Sequence, residues 1–159
     1  MKLARFKFAG LVALLIVVFA ASAFAVGSPS KSRKPTTPDD YARGVAAVKA
    51  ENYERALGLL GKVVRKNPNN ADAWNYIGFS HRKLKRFDRS LESYKKALAI
   101  KPNHKGALEY LGELYLQTNQ LEKAKAQLKK LDNICTFGCS EYSDLKSAIE
   151  AYEARGKSG

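Results

Sequence analysis

Cys135 and Cys139 frame the pentapeptide CTFGC and are the only cysteines among the 159 residues. Paired thiols serve redox exchange, haem attachment, metal binding or a structural disulfide, and the neighbours discriminate among these. A redox pair usually has two residues between its cysteines, and here there are three. Covalent haem attachment wants a histidine directly after the second cysteine, where Ser140 stands. A metal site would need more ligands, but His81 and His104 are the only histidines and Met1 the only methionine. Glu141 is an isolated acid that suits the positive end of a following helix. In an exported chain such a pair reads as one disulfide, with Gly138 giving the tight loop its freedom. Closing so short a loop stabilises by only about 2 kcal/mol on chain-entropy grounds. A thiol–disulfide redox protein using the same pair is the alternative, and an accessible low-pKa thiolate would mark it. No catalytic constellation is visible, and no cofactor or metal is implied.

Residues 1–25 supply the reason to expect export. Lys2, Arg5 and Lys7 precede an unbroken apolar run from Gly10 to Ala20, and Ala23-Phe24-Ala25 forms a small–x–small cleavage site. The run is shorter than the roughly 20 residues a spanning helix needs. Cleavage after Ala25 is expected, with Ala21-Ser22-Ala23 a second candidate. The mature protein would then be periplasmic or secreted, in the bacterial manner. An uncut signal would instead leave it anchored to the membrane.

Residues 26–37 are rich in Ser, Pro, Thr and basic side chains without apolar periodicity, and read as a flexible linker. The formal charge is +13, of which Lys2, Arg5 and Lys7 carry three, so the part after Ala25 keeps +10. That excess favours anionic partners or surfaces, or serves solubility alone. The densest basic run, His81 to Arg89, is either a solvated turn or a patch for an acidic partner or lipid head groups.

From there on the chain is periodic. Gly44, Gly78 and Gly112 recur every 34 residues, as do Ala56, Ser90 and Ala124, and Pro68 and Pro102. A fixed period of this length marks a helical repeat array. The best-formed unit runs from Asn70 to Pro102, with Trp74, Ile77, Gly78, Tyr94 and Ala97 placed for two packed helices. Within the 38–155 domain, three helix–turn–helix repeats are expected over about 37–70, 71–104 and 105–138. A capping helix follows over 141–155, and residues 156–159 fray. Thr37, Asn70, Asn103 and Ser140 are the expected N-caps, with Pro38 at the first helical position. Ala56, Leu57, Leu60, Val63 and Val64 form the buried stripe of the first return helix. Tyr142, Leu145, Ala148, Ile149 and Tyr152 form that of the cap, whose Lys146, Glu150 and Glu153 would face water.

This pattern resembles a tetratricopeptide repeat (TPR) over roughly residues 37–134. The resemblance implies an all-α, right-handed superhelical array of three repeats plus a C-terminal capping helix, preceded by the signal peptide. Departures are Asp40 and Arg43 in the first repeat, which suit a terminal unit with one face in water, His81 and Ser90 in the second, and Thr136 at the closing proline. His81 is read as a packed or hydrogen-bonded core histidine.

In TPR arrays the first helix of each repeat lines the concave surface. By resemblance that surface holds Tyr41, Val45 and Lys49, then Asn75, Tyr76, Phe79, Arg82 and Lys83, then Glu109, Tyr110, Glu113 and Gln117. Such a set reads as a groove for a peptide or helix, with Asn75 holding a peptide backbone through donor and acceptor. Tyr76 and Phe79 also fit as packing between adjacent repeats. The Lys/Asn/Arg set with which chaperone-binding TPR domains clamp a C-terminal carboxylate is absent, since its places hold Tyr41, Val45, Tyr76, Gly106 and Tyr110. The expected function is a non-enzymatic protein–protein interaction scaffold in envelope complex assembly. Nucleic acid is not an expected partner, because no recognition motif is present. Self-association through the groove stays open.

Overall fold

The computed structural model describes residues 39–156. The signal peptide, the 26–37 linker, Thr37, Pro38 and the last three residues lie outside them. The described residues form seven helices and no strand: α1 (Asp40–Lys49), α2 (Tyr53–Lys66), α3 (Ala71–Lys83), α4 (Phe87–Ile100), α5 (Lys105–Gln117), α6 (Leu121–Ile134) and α7 (Ser140–Gly156). They pair as α1 with α2, α3 with α4 and α5 with α6, and α7 packs on α5 and α6.

The period is written into the backbone as well as the side chains. Glu51, Lys85 and Asn119, 34 apart, all have φ between 56 and 58°. Each follows the end of the first helix of a repeat. The next amide bonds five residues back, from Asn52 to Ala47, Arg86 to His81 and Gln120 to Tyr115. The positive-φ residue itself bonds three back, to Val48, Arg82 and Leu116 respectively. This is the Schellman arrangement, which satisfies the last carbonyls of a helix. Neither Glu51 nor Lys85 is the glycine or asparagine that usually marks such a site, so the sequence does not advertise it.

Small residues set how closely the helices approach. A Cβ at Gly44 would lie 2.7 Å from Leu60, and one at Gly78 2.6 Å from the Tyr94 ring. Ala56, Leu60, Ala73, Tyr94, Ala97, Ala107, Ala124, Leu131 and Leu145 have no exposed surface. Ser90, in a place that alanine usually fills in these repeats, donates its hydroxyl to the Gly78 carbonyl at 2.8 Å. Of the stripe expected in α2, Ala56, Leu60 and Val64 are buried and Leu57 and Val63 half-buried, and Leu59 is buried beside them.

Three helix starts differ from the sequence expectation. Asp39, not Thr37, caps α1, accepting from the Ala42 amide at 2.8 Å. Asn70 caps α3 as expected, accepting from Ala73 at 2.9 Å. For α5 the cap is His104 rather than Asn103. The same 34-residue step that separates the glycines leads from Asn70 to His104, so the period located the cap better than residue type did. His104 Nδ1 accepts from the Ala107 amide at 3.2 Å. Nε2 therefore carries the proton and faces Asp72 Oδ1 at 2.9 Å, tying the start of α5 to that of α3. Ser140 is the first residue of α7 rather than its cap, and its hydroxyl donates to Glu141.

The third repeat closes differently. Asn67, Lys101 and Cys135 end α2, α4 and α6 in the same way, each amide bonding four residues back. Proline follows the first two, whereas Cys135 is joined to Cys139, with Cα atoms 5.6 Å apart. Gly138 then takes φ 83°, a conformation that favours glycine, and turns the chain toward α7. Leu145 and Ile149 of α7 are buried against Leu108, Leu116 and Leu131. Of the side chains expected in water, Lys146 and Glu150 are exposed, whereas Glu153 is half-buried and pairs with Lys125 at 2.7 Å. Cys135→Ser/Cys139→Ser should lower stability by no more than about 2 kcal/mol, because five residues close a small loop. Denaturant midpoints of the variant and of the reduced wild type should coincide.

Candidate functional site

The face shared by α1, α3 and α5 carries the side chains of interest. Tyr41 of α1 meets Tyr76 of α3 edge-on, ring centres 6.4 Å apart. Phe79 of α3 packs on Tyr110 of α5 at 4.9 Å and on Tyr53 at 6.2 Å. Lys83 lies over the Phe79 ring at 5.5 Å. Val48, Lys49, Glu51, Tyr53, Tyr76, Phe79, Lys83 and Tyr110 together line an open recess of about 310 Å³. The rings of Tyr76, Phe79 and Tyr110 are half-buried. Packing between repeats and presenting a face to the recess are thus done by the same residues. Burial, reinforced by Glu109 and Glu113, pushes the Tyr110 phenol up to about 12, so it stays a neutral donor around neutral pH.

Two expected contact residues sit differently. Asn75 is 5% exposed and lies in the seam between α3 and α5, its amide nitrogen 3.3 Å from where a Gly106 Cβ would stand. Its side-chain oxygen is enclosed without a hydrogen-bond partner. The open backbone-holding amide expected of it is therefore not what the fold presents. Arg82 is also 5% exposed, and its guanidinium pairs with Glu113 at 2.6 Å. The same guanidinium lies 5.3 and 5.5 Å from the Phe79 and Tyr110 ring centres. Arg82 thus braces the aromatic wall, and Glu113 is its counter-charge. Both residues carry polar side chains at concave-face positions, and the sequence pattern alone does not say which of these point into a seam.

Glu109 is the residue whose environment the sequence did not reveal. It is 7% exposed, and its side chain makes no hydrogen bond or ion pair. Burial, then repulsion from Glu113, Asp144 and Glu141, outweighs the pull of Arg82 and raises its carboxyl to about 8. The two acids of α7 arrive through the cap helix, which no repeat periodicity places. A carboxyl raised above its unfolded value of 4.5 favours the neutral native form, so stability falls as pH rises from about 4.5 to 8. Glu109→Gln should melt with the wild type near pH 4.5 and above it by several degrees, at least about 1 kcal/mol, at pH 8.5. A difference that does not grow with pH would exclude this burial.

His81 is half-buried, with burial first and then Arg86 and Arg89 holding its imidazole below the usual range. Its Nδ1 is enclosed without a partner, which makes it a packed histidine. Arg86 in the same basic run pairs with Glu54 of α2, so part of that run is already neutralised. Among the described residues no group of three metal-ligating side chains converges, and no helix is long and apolar enough to cross a membrane.

Two tetratricopeptide-repeat family models match the chain, one over residues 41–105 and one over 81–149. A search of curated protein sequences found no match. Among solved structures, the first TPR of Spaghetti (RPAP3) bound to the HSP90 peptide SRMEEVD superposes with a TM-score of 0.63. It is 18% identical and the match covers 70% of this chain and 89% of that one. PcrH in complex with the chaperone binding region of PopD gives 0.65 at 18% identity, over 74% and 90%. At that identity both show the fold alone. MamA MSR-1 is 30% identical with a TM-score of 0.55, over 59% of this chain and 54% of its own, so the match spans about half of MamA. With the seven-helix array, its 34-residue backbone period and both family matches, the chain belongs to the tetratricopeptide-repeat proteins.

Proposed function

We propose that this protein is a non-enzymatic scaffold of the bacterial periplasm, which holds a peptide or short helix of a partner on the α1/α3/α5 face during assembly of an envelope complex. The observation that carries the reading is the recess at Tyr53, Tyr76, Phe79 and Tyr110. Its rings are fixed by one another and by Arg82, so little ordering is required when an apolar side chain enters. The same frame in two other proteins is seen with a bound HSP90 peptide and with a segment of PopD. The partner here is of another kind than a clamped C-terminal carboxylate, since no Lys/Asn/Arg set occupies Tyr41, Val45, Tyr76, Gly106 and Tyr110. Export rests on the signal-like residues 1–25, and a cysteine pair joined as a disulfide suits an oxidising compartment.

Affinity capture from envelope extract tests the reading, comparing wild type, Tyr76→Ala/Phe79→Ala and Cys135→Ser/Cys139→Ser. The captured chain should begin at Val26. One partner should be held by wild type and by the cysteine variant, and lost at least tenfold with the ring variant while helicity is retained. Capture through mixed disulfides that vanish with the cysteines would instead make this a thiol–disulfide protein. Equal capture by all three forms would place the contact off this face.

A further inference from the structure

The chain is strongly basic, yet one end of its candidate groove is acidic. Glu109 and Glu113 stand one turn apart on α5, and Glu141 and Asp144 in the first turns of α7 add their charge to the field at Glu109. Arg82 of α3 pulls the other way on Glu109, but its guanidinium is already engaged by Glu113 at 2.6 Å. That leaves a carboxyl more than nine-tenths buried with no ion-pair partner, no side-chain hydrogen bond and further acids acting on it. A fold stabilised by burial alone has no use for such a group, since burying a polar group without a hydrogen bond costs free energy. Its oxygens are not among the fully enclosed unpartnered atoms, unlike those of Asn75 or Gln127, so the group reaches the edge of the fold. The aromatic recess begins at the next residue, Tyr110, which also feels the charge of Glu109.

We propose that Glu109 is the seat for one lysine or arginine side chain of the segment held in the groove. The proposal rests on the groove reading above and names the partner chemistry: a large apolar side chain for the recess and, a short distance along, a cation for Glu109. A lysine or arginine brings Glu109 the pairing charge that Arg82, engaged by Glu113, does not supply. The long aliphatic stem of either suits the approach past Tyr110. With no group of three metal-ligating side chains converging among the described residues, a single side-chain cation is the occupant the geometry favours. Pairing also draws the carboxyl into its ionised form, so binding near neutral pH should release a proton.

The probe is a set of end-blocked dodecapeptides carrying one Phe and, three or four residues away, Lys, Arg, norleucine or Glu. Wild type at pH 7.5 should bind the Lys and Arg members about tenfold more tightly than norleucine, and the Glu members least. Calorimetry in two buffers of different ionisation enthalpy should show proton release with Lys and Arg only. Glu109→Gln should lose most of the discrimination and the proton release, yet keep the norleucine affinity. Tyr76→Ala/Phe79→Ala should weaken every member. Binding without discrimination in wild type, or discrimination that survives Glu109→Gln, would overturn the cation seat and leave the groove reading standing. Failure of wild type to bind any member would overturn both.

Discussion

A chain ending at Asn133 should melt at least 10 °C below the full protein and aggregate as it does so. Removing α7 takes away Leu145 and Ile149 and opens Leu108, Leu116 and Leu131 to water, all of them buried in the intact fold. A fully buried leucine or isoleucine contributes about 1.5–3 kcal/mol, and a small domain has only about 5–15 kcal/mol in total. In an array each unit leans on its neighbours, so the third repeat should open first and the first two should hold longer. Leu145→Ala isolates the packing from the disulfide, which that variant keeps. It should cost about 2–5 kcal/mol, because the side chain has no exposed surface. Unchanged melting of both forms would mean that α7 is an appendage rather than a cap.

Gly78→Ala should be nearly as damaging, although alanine is the better helix former. The added Cβ would lie 2.6 Å from two carbons of the Tyr94 ring, and that ring is wholly buried. A flexible side chain could swing aside, but a ring walled in by Ala97, Ala107 and Leu111 cannot. Overpacking costs about 1–3 kcal/mol, toward the upper end for a ring that cannot move, and alanine's propensity gain of about 1 offsets part of it, leaving a net loss of about 1–2 kcal/mol. Thermal melts by circular dichroism should show a fall of roughly 5–10 °C. Tyr94→Leu in the same chain should return part of it, since the smaller side chain frees the contact. A variant that melts with the wild type would show that α3 and α4 are not so close.

Both predictions draw on features that were visible in the sequence. The glycine spacing located the close approaches, and the i, i+3, i+4 stripe located the buried side of α7. What periodicity could not convey was direction within a position. Asn75, Arg82 and Tyr76 all belong to concave-face positions, yet the first two turn into the α3–α5 seam and only the third lines the recess. Side-chain direction at those positions depends on what the next repeat places opposite, here Gly106 beside Asn75 and Glu113 beside Arg82. His104 was overlooked as a cap because histidine is an uncommon N-cap residue, even though Asn70 pointed to it one period earlier. Glu109 was unreadable for a different reason. Its environment is set by Glu141 and Asp144, which lie outside the repeating pattern, so the acid's burial follows from where α7 docks.

The glycine of the third repeat carries a consequence for how this protein can change over generations. In the first two repeats the glycine faces the second helix of its own unit, at Leu60 and Tyr94, but the nearest neighbour of Gly112 is Leu145 of α7. The last place in the row is therefore taken by a dedicated stopper rather than left as a generic socket. A gene duplication that added a unit after α6 would displace that stopper. One that copied residues 71–104 in place would keep that stopper and the tie from Asp72 to a capping residue 32 positions on, although Arg82 of the first copy would meet Phe79 of the second where Glu113 now stands. Lengthening by internal copying is thus the tolerated route, and relatives with more repeats should carry the extra copies in the middle, with the CTFGC turn and its helix still at the end.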